Sequence, residues 1–191
     1  MSDRLTDRLN EILPKITSTD FLSGKGLGNE IAFYIFDYPP GEELRIRDHL
    51  RFLLEHIPKQ KPDLRVKHVN LFVLVIDHLK ERGLLDRCFK KQKEEGDVAL
   101  EKALRSPLKA EKLAEMFVAF VQPNEQDLVL VSGVGSVWPL VRTHSLLNNL
   151  HPVMGNTPLV MFYPGGYDGQ TLRLFGHIKN DNYYRAFKLV P

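Results

Sequence analysis

Hydrophobic positions along the chain alternate between two periods. Leu5, Leu9, Ile12, Leu13 and Ile16 recur at helical spacing, with Ser2 placed to cap, so the opening segment predicts a helix from Asp3 to about Ile16. A glycine-rich loop, Ser23 to Gly28, comes next. Ile31 to Phe36 is an unbroken apolar run with β-branched and aromatic members, the signature of a buried strand. Asp37-Tyr38-Pro39-Pro40-Gly41 is expected to end it. Glu42 and Glu43 then suit the first turn of a helix reaching about Ile57, with Ile46, Leu50, Leu53 and Ile57 inward.

Arg65 to Val69 reads as a short strand, and Asn70 caps a helix bearing Leu71, Leu74, Val75 and Leu79, where spacing and the lack of a breaker favour helix over the alternative of a strand at Leu71–Ile76. Gly83 stops that helix, Leu84 to about Lys93 forms another, and Ser106-Pro107 opens a third with Leu113, Met116, Phe117 and Phe120 on its apolar face. Residues 71–121 are therefore almost wholly helical, and a block this long between strands predicts an inserted bundle within a single 1–191 domain. Leu128 to Val131 is a second buried strand, Ser132 to Ser136 a turn, and Trp138-Pro139 the start of a helix to about Leu150. Strands alternating with helices imply an α/β fold whose mostly parallel sheet is covered on both faces.

The most distinctive stretch is Thr157–Phe175. Leu159 to Tyr163 predicts a strand, which Pro164-Gly165-Gly166 is expected to halt. Tyr167-Asp168-Gly169 should turn the chain into a strand at Leu172–Phe175. Tyr184–Leu189 forms the last strand, and this final pair is expected to add antiparallel edge strands.

Composition narrows the class. Hydrophobic residues at 43% and charged residues at 26% are ordinary for a soluble globular domain. The net charge of +2 is too small to imply a nucleic-acid partner by itself. A single cysteine, Cys88, excludes an internal disulfide and suits a reducing compartment. The opening residues lack a signal-peptide core, and the longest apolar run, Leu71–Ile76, is far below membrane-spanning length, so a cytoplasmic location is expected.

Candidate chemistry is thin. A phosphate loop after Phe36 needs G-x-x-x-x-G-K-[ST], whereas D-Y-P-P-G-E-E-L removes donors and repels anions. G-V-G-S-V-W after Val131 places Trp138 where a third glycine belongs. The expected architecture is thus that of a P-loop NTPase without its phosphate loop. His49 and His56, like His144 and His151, are seven residues apart, about 10.5 Å along a helix, which is too far for one metal ion. Ser132 and Ser136 lack a nucleophile elbow, Cys88 reads as a small buried hydrophobe, and Asp37 and Asp168 read as turn formers. No catalytic residue, cofactor or metal site is predicted. Lys80, Arg87, Lys90 and Lys91 form a possible DNA-contacting stripe, countered by Glu94, Glu95, Asp97 and Glu101. Tyr163, Tyr167, Arg173, Tyr183, Tyr184 and Arg185 form a candidate partner surface, because tyrosine and arginine are enriched in binding hot spots.

The motif M-F-Y-P-G-G-Y-D-G-Q-T-L-R-L-F-G, followed by N-Y-Y-R-A-F-K-L-V-P, resembles the BrxB family, accessory proteins of BREX phage-defence systems. The opening amphipathic helix, A-F-Y-I-F-D-Y-P-P and V-L-V-S-G-V-G-S-V-W-P-L extend the likeness over essentially the whole length. The resemblance implies a non-enzymatic cytoplasmic protein working beside a DNA methyltransferase, an ATPase and the alkaline-phosphatase-like PglZ. It implies contact with PglZ or another member, and help in distinguishing phage from host DNA. A DNA-binding accessory subunit is the alternative reading, and a cryptic nucleotide-binding switch a weaker one.

Overall fold

The computed structural model describes residues 3–23, 32–179 and 186–191. Helix α1 (Arg4–Ile16) is capped by Asp3, whose carboxylate accepts from Leu5 N at 2.7 Å and Thr6 N at 3.3 Å. Ser2, the expected cap, lies outside the described residues. Helix α2 (Thr19–Leu22) comes next, then strand β1 (Phe33–Tyr38) and helix α3 (Glu43–Gln60). Strand β2 (Val66–Asn70) leads through helices α4 (Leu71–Glu81), α5 (Leu85–Glu95), α6 (Asp97–Leu104) and α7 (Ala110–Val121) to strand β3 (Leu128–Ser132). Helices α8 (Val134–Val137) and α9 (Thr143–Leu150) connect β3 to strand β4 (Leu159–Tyr167). Strands β5 (Leu172–Leu174), β6 (Ile178–Lys179) and β7 (Phe187–Lys188) complete the described chain.

The main sheet runs β2-β3-β4-β1-β7, and every neighbouring pair in it is parallel. β1 and β3 read as unbroken apolar runs because both of their faces are covered. On one face α1, α2 and α3 enclose Phe36, Leu130, Val160 and Phe162. On the other, α4, α7, α8 and α9 enclose Ile35, Val131, Met161 and Tyr163. The expected α/β layers are therefore present. Between β2 and β3 the chain forms α4–α7, of which α4 and α7 supply the buried crossover. α5 contributes no buried residue.

Four expectations are corrected. Pro164-Gly165-Gly166 does not halt β4, which continues through it to Tyr167. The strand changes partner there: up to Pro164 it lies against β1, and from Gly165 it pairs antiparallel with β5. A proline carbonyl still accepts, and Pro164 O takes the Phe175 N–H at 2.9 Å. Gly165 is required by close approach, since a Cβ there would lie 2.1 Å from the Arg173 carbonyl oxygen. Second, the last strand does not extend the hairpin. Its described part, β7, lies parallel to β1 on the far edge, and the antiparallel portion is β4-β5-β6. Third, Asp37 and Tyr38 belong to β1 and do not form a turn. Fourth, the segment after β3 is helical over Val134–Val137, and the next helix starts at Thr143, past Trp138-Pro139.

Candidate functional site

In open α/β sheets, ligands bind in the crevice at the carboxyl ends of the strands. Here that crevice has two parts. Beyond β1 and β4 it is occupied by the chain itself. Asp37 is the centre of that closure. Arg8, reaching over from α1, donates to Asp37 Oδ1 at 2.7 Å and to the Asp37 carbonyl at 2.8 Å. The same guanidinium donates to the Val190 carbonyl at 3.0 Å and lies 4.7 Å from the centre of the Phe36 ring. The other carboxylate oxygen, Oδ2, accepts from Tyr167 N at 3.0 Å and faces Lys188 Nζ at 3.7 Å. One carboxylate therefore ties together α1, β1, the β4–β5 hairpin and β7. Arg8 and Asp37 side chains are only 15% and 14% exposed. Every partner lies far away in sequence, so turn chemistry alone misreads Asp37.

Next to it, Tyr38 is buried and donates to Glu43 Oε2 at 2.5 Å. Burial, and then Glu43, hold its phenol well above the usual range. Asp168 does form a turn. Its carboxylate accepts from Gln170 N, Thr171 N and the Thr171 hydroxyl, which hold its pKa down at about 2. His68, midway along β2, meets Ser132 at the end of β3 at 2.8 Å between Nε2 and Oγ, and burial lowers the His68 pKa. Gly133 is needed beside them, since its φ is 74° and a Cβ would sit 2.3 Å from Asn70 Oδ1. That oxygen caps α4 through Phe72 N and Val73 N.

Two members of the predicted partner surface, Tyr163 and Tyr167, are core residues and not surface ones. Tyr163 is fully buried and Tyr167 is 2% exposed, with its hydroxyl donating to the Ala186 carbonyl at 2.8 Å. Both rings belong to the core, and for Tyr167 burial costs little because its hydroxyl finds that backbone acceptor. Arg173 is exposed, 3.8 Å from Asp168, while Tyr183, Tyr184 and Arg185 lie outside the described residues. Of the basic stripe, Lys80 and Arg87 are exposed, whereas Lys90 and Lys91 face Glu94 and Glu95 one turn on, at 3.9 and 2.8 Å. Cys88 is half-buried and its thiol is pushed up by burial. Among the described residues no three metal-ligating side chains come together, and no helix is long and apolar enough to cross a membrane.

The second part of the crevice is open, and sequence reasoning missed it. A cavity of about 500 Å³ is bounded by Arg105 of the α6–α7 link, Leu113 of α7, Trp138 and Arg142 of the α8–α9 link, and Leu174 of β5. Its lining comes from four separate segments, and Trp138 in G-V-G-S-V-W is the one signal of it in the sequence. Trp138, the sole tryptophan, is 41% exposed.

Comparison with known proteins matches residues 67–189 to the family model described as "BREX protein BrxB". A protein of that name from Bacillus cereus (strain H3081.97) is 44% identical over 191 residues, spanning 98% of each chain. Another from Escherichia coli O9:H4 (strain HS) is 45% identical over 184 residues, spanning 96% of this chain and 90% of that one. No solved structure matches.

Proposed function

The chain belongs to the BrxB family of BREX proteins, and from that premise we propose that it is a non-catalytic adaptor within the defence complex, contacting the PglZ component. One observation carries the reading: the place where a sheet of this kind would cradle phosphate is filled by the protein's own Arg8–Asp37–Tyr167 linkage. The strand order supports descent from a nucleotide-binding sheet, since β1, inside the sheet between β4 and β7, stands where a phosphate loop would begin. After β1 the chain runs into Pro39-Pro40-Gly41, which has few free donors for phosphate. A protein built this way contributes surface. The test is co-expression of the full chain with PglZ and the other BREX components, followed by size-exclusion chromatography. Co-elution with PglZ is expected, and separate elution from every component at micromolar concentration refutes the adaptor role. ATP or GTP with Mg²⁺ is expected to leave the melting temperature unchanged, and a rise with either revives the nucleotide-switch alternative. The DNA-binding alternative has less support, because Glu94 and Glu95 engage two of the four basic residues it needs.

A further inference from the structure

The open cavity has the composition of a binding site. Its floor is apolar, formed by the buried Leu113, Val141 and Leu174. The indole of Trp138 stands at its edge, and large aromatics beside arginine are the residues that dominate binding energy in interfaces. Two guanidiniums, Arg105 and Arg142, line it against one carboxylate, Glu101. Glu101 is already paired with Arg105 at 3.3 Å. Arg142 is exposed and makes no ion pair among the described residues. α7 and α9 both begin at this cavity without a side-chain cap, which adds positive potential of the same sign but would not make a site without the arginines.

We infer that this cavity is the docking site for an acidic peptide segment of a protein partner, which sets an apolar side chain against Trp138 and a carboxylate on Arg142. The proposal rests on the adaptor reading and gives it a location. Arginine holds a carboxylate through two parallel hydrogen bonds, and the apolar floor beside it takes the neighbouring side chain. Nucleic acid fits less well: a phosphate backbone wants a row of cations, and here Glu101 offsets Arg105, which leaves Arg142 beside an apolar floor.

The test is selection of short peptides from a random displayed library on the immobilised full-length chain. Enriched peptides are then made synthetically and titrated by fluorescence anisotropy. Acidic residues flanking an aromatic or aliphatic one are expected to dominate the selection. R142E and W138A should each weaken binding about tenfold or more, R142K less, with melting temperatures unchanged. The proposal is overturned by three results: no enrichment, enrichment without acidic bias, or acidic peptides that bind R142E as tightly as the wild type. A single-stranded oligonucleotide that binds as well and is lost in the same variants reassigns the cavity to nucleic acid and also overturns it. Co-elution of the wild type with PglZ alongside a failed peptide titration removes only this cavity. Absence of co-elution with every BREX component removes the adaptor reading itself.

Discussion

The two parts of the crevice at the strand ends make opposite use of charge. Beyond β1, the carboxylate of Asp37 is surrounded by its own chain and accepts from Arg8 and from Tyr167 N, with Lys188 close by. Beyond β3 and β5, Arg142 stands exposed at the edge of an open cavity with no ion pair among the described residues. Charges that hold a fold are enclosed and multiply bonded. Charges that serve recognition are left accessible beside apolar surface. Substitutions at the closed part should therefore change stability, and those at the open part should not.

The largest effect is expected for Arg8→Ala. It leaves Asp37 Oδ1 and the Val190 carbonyl without their guanidinium donor, while Oδ2 keeps Tyr167 N and Lys188. Breaking a buried pair costs about 3–5 kcal/mol, and some solvent access here places the expected loss near the lower end, about 3 kcal/mol. At about 2–4 °C per kcal/mol for a chain of this size, the melting temperature should fall by roughly 6–12 °C. A change under about 2 °C would make the linkage incidental. Gly165→Ala comes next. Its added Cβ meets the Arg173 carbonyl, and overpacking of this kind costs about 1–3 kcal/mol, measured as a lower denaturant midpoint. Tyr167→Phe removes the donor to the Ala186 carbonyl while keeping the ring, so about 1–2 kcal/mol is expected by the same measurement. The smallest effect concerns pH. Burial lowers the pKa of His68, and of His49 and His78 as well. Above about pH 6.5 these rings are neutral in both folded and unfolded chains. Below it the unfolded chain takes up protons that the fold resists, so stability should decline as pH falls from about 6.5 through the lowered values. His68→Gln should make that decline shallower, and an identical pH profile would exclude His68 as a contributor.

Much of the layered fold was legible because it is dictated by local periodicity. The stripes of α1, α3 and α7 and the unbroken runs in β1 and β3 identify themselves within a short window. The features that escaped depend on distant partners. Pro164-Gly165-Gly166 looks like a break until the close approach of β5 is known. Tyr163 and Tyr167 look like surface residues until their burial is seen, and Tyr167 is satisfied by a carbonyl 19 positions away. The Trp138 cavity is assembled from segments about thirty residues apart, so no stretch of sequence announces it.

The bond from Arg8 to the Val190 carbonyl joins positions 182 apart. During synthesis α1 and β1 leave the ribosome early and Arg8 can meet Asp37, yet the Val190 acceptor and β7 are missing until the end of the chain emerges. Every nascent intermediate therefore carries β1 with an unguarded flank, open to pairing with a neighbouring polypeptide. A message cut short before Phe187 would release a product fixed in that vulnerable condition, a natural substrate for chaperones and proteases.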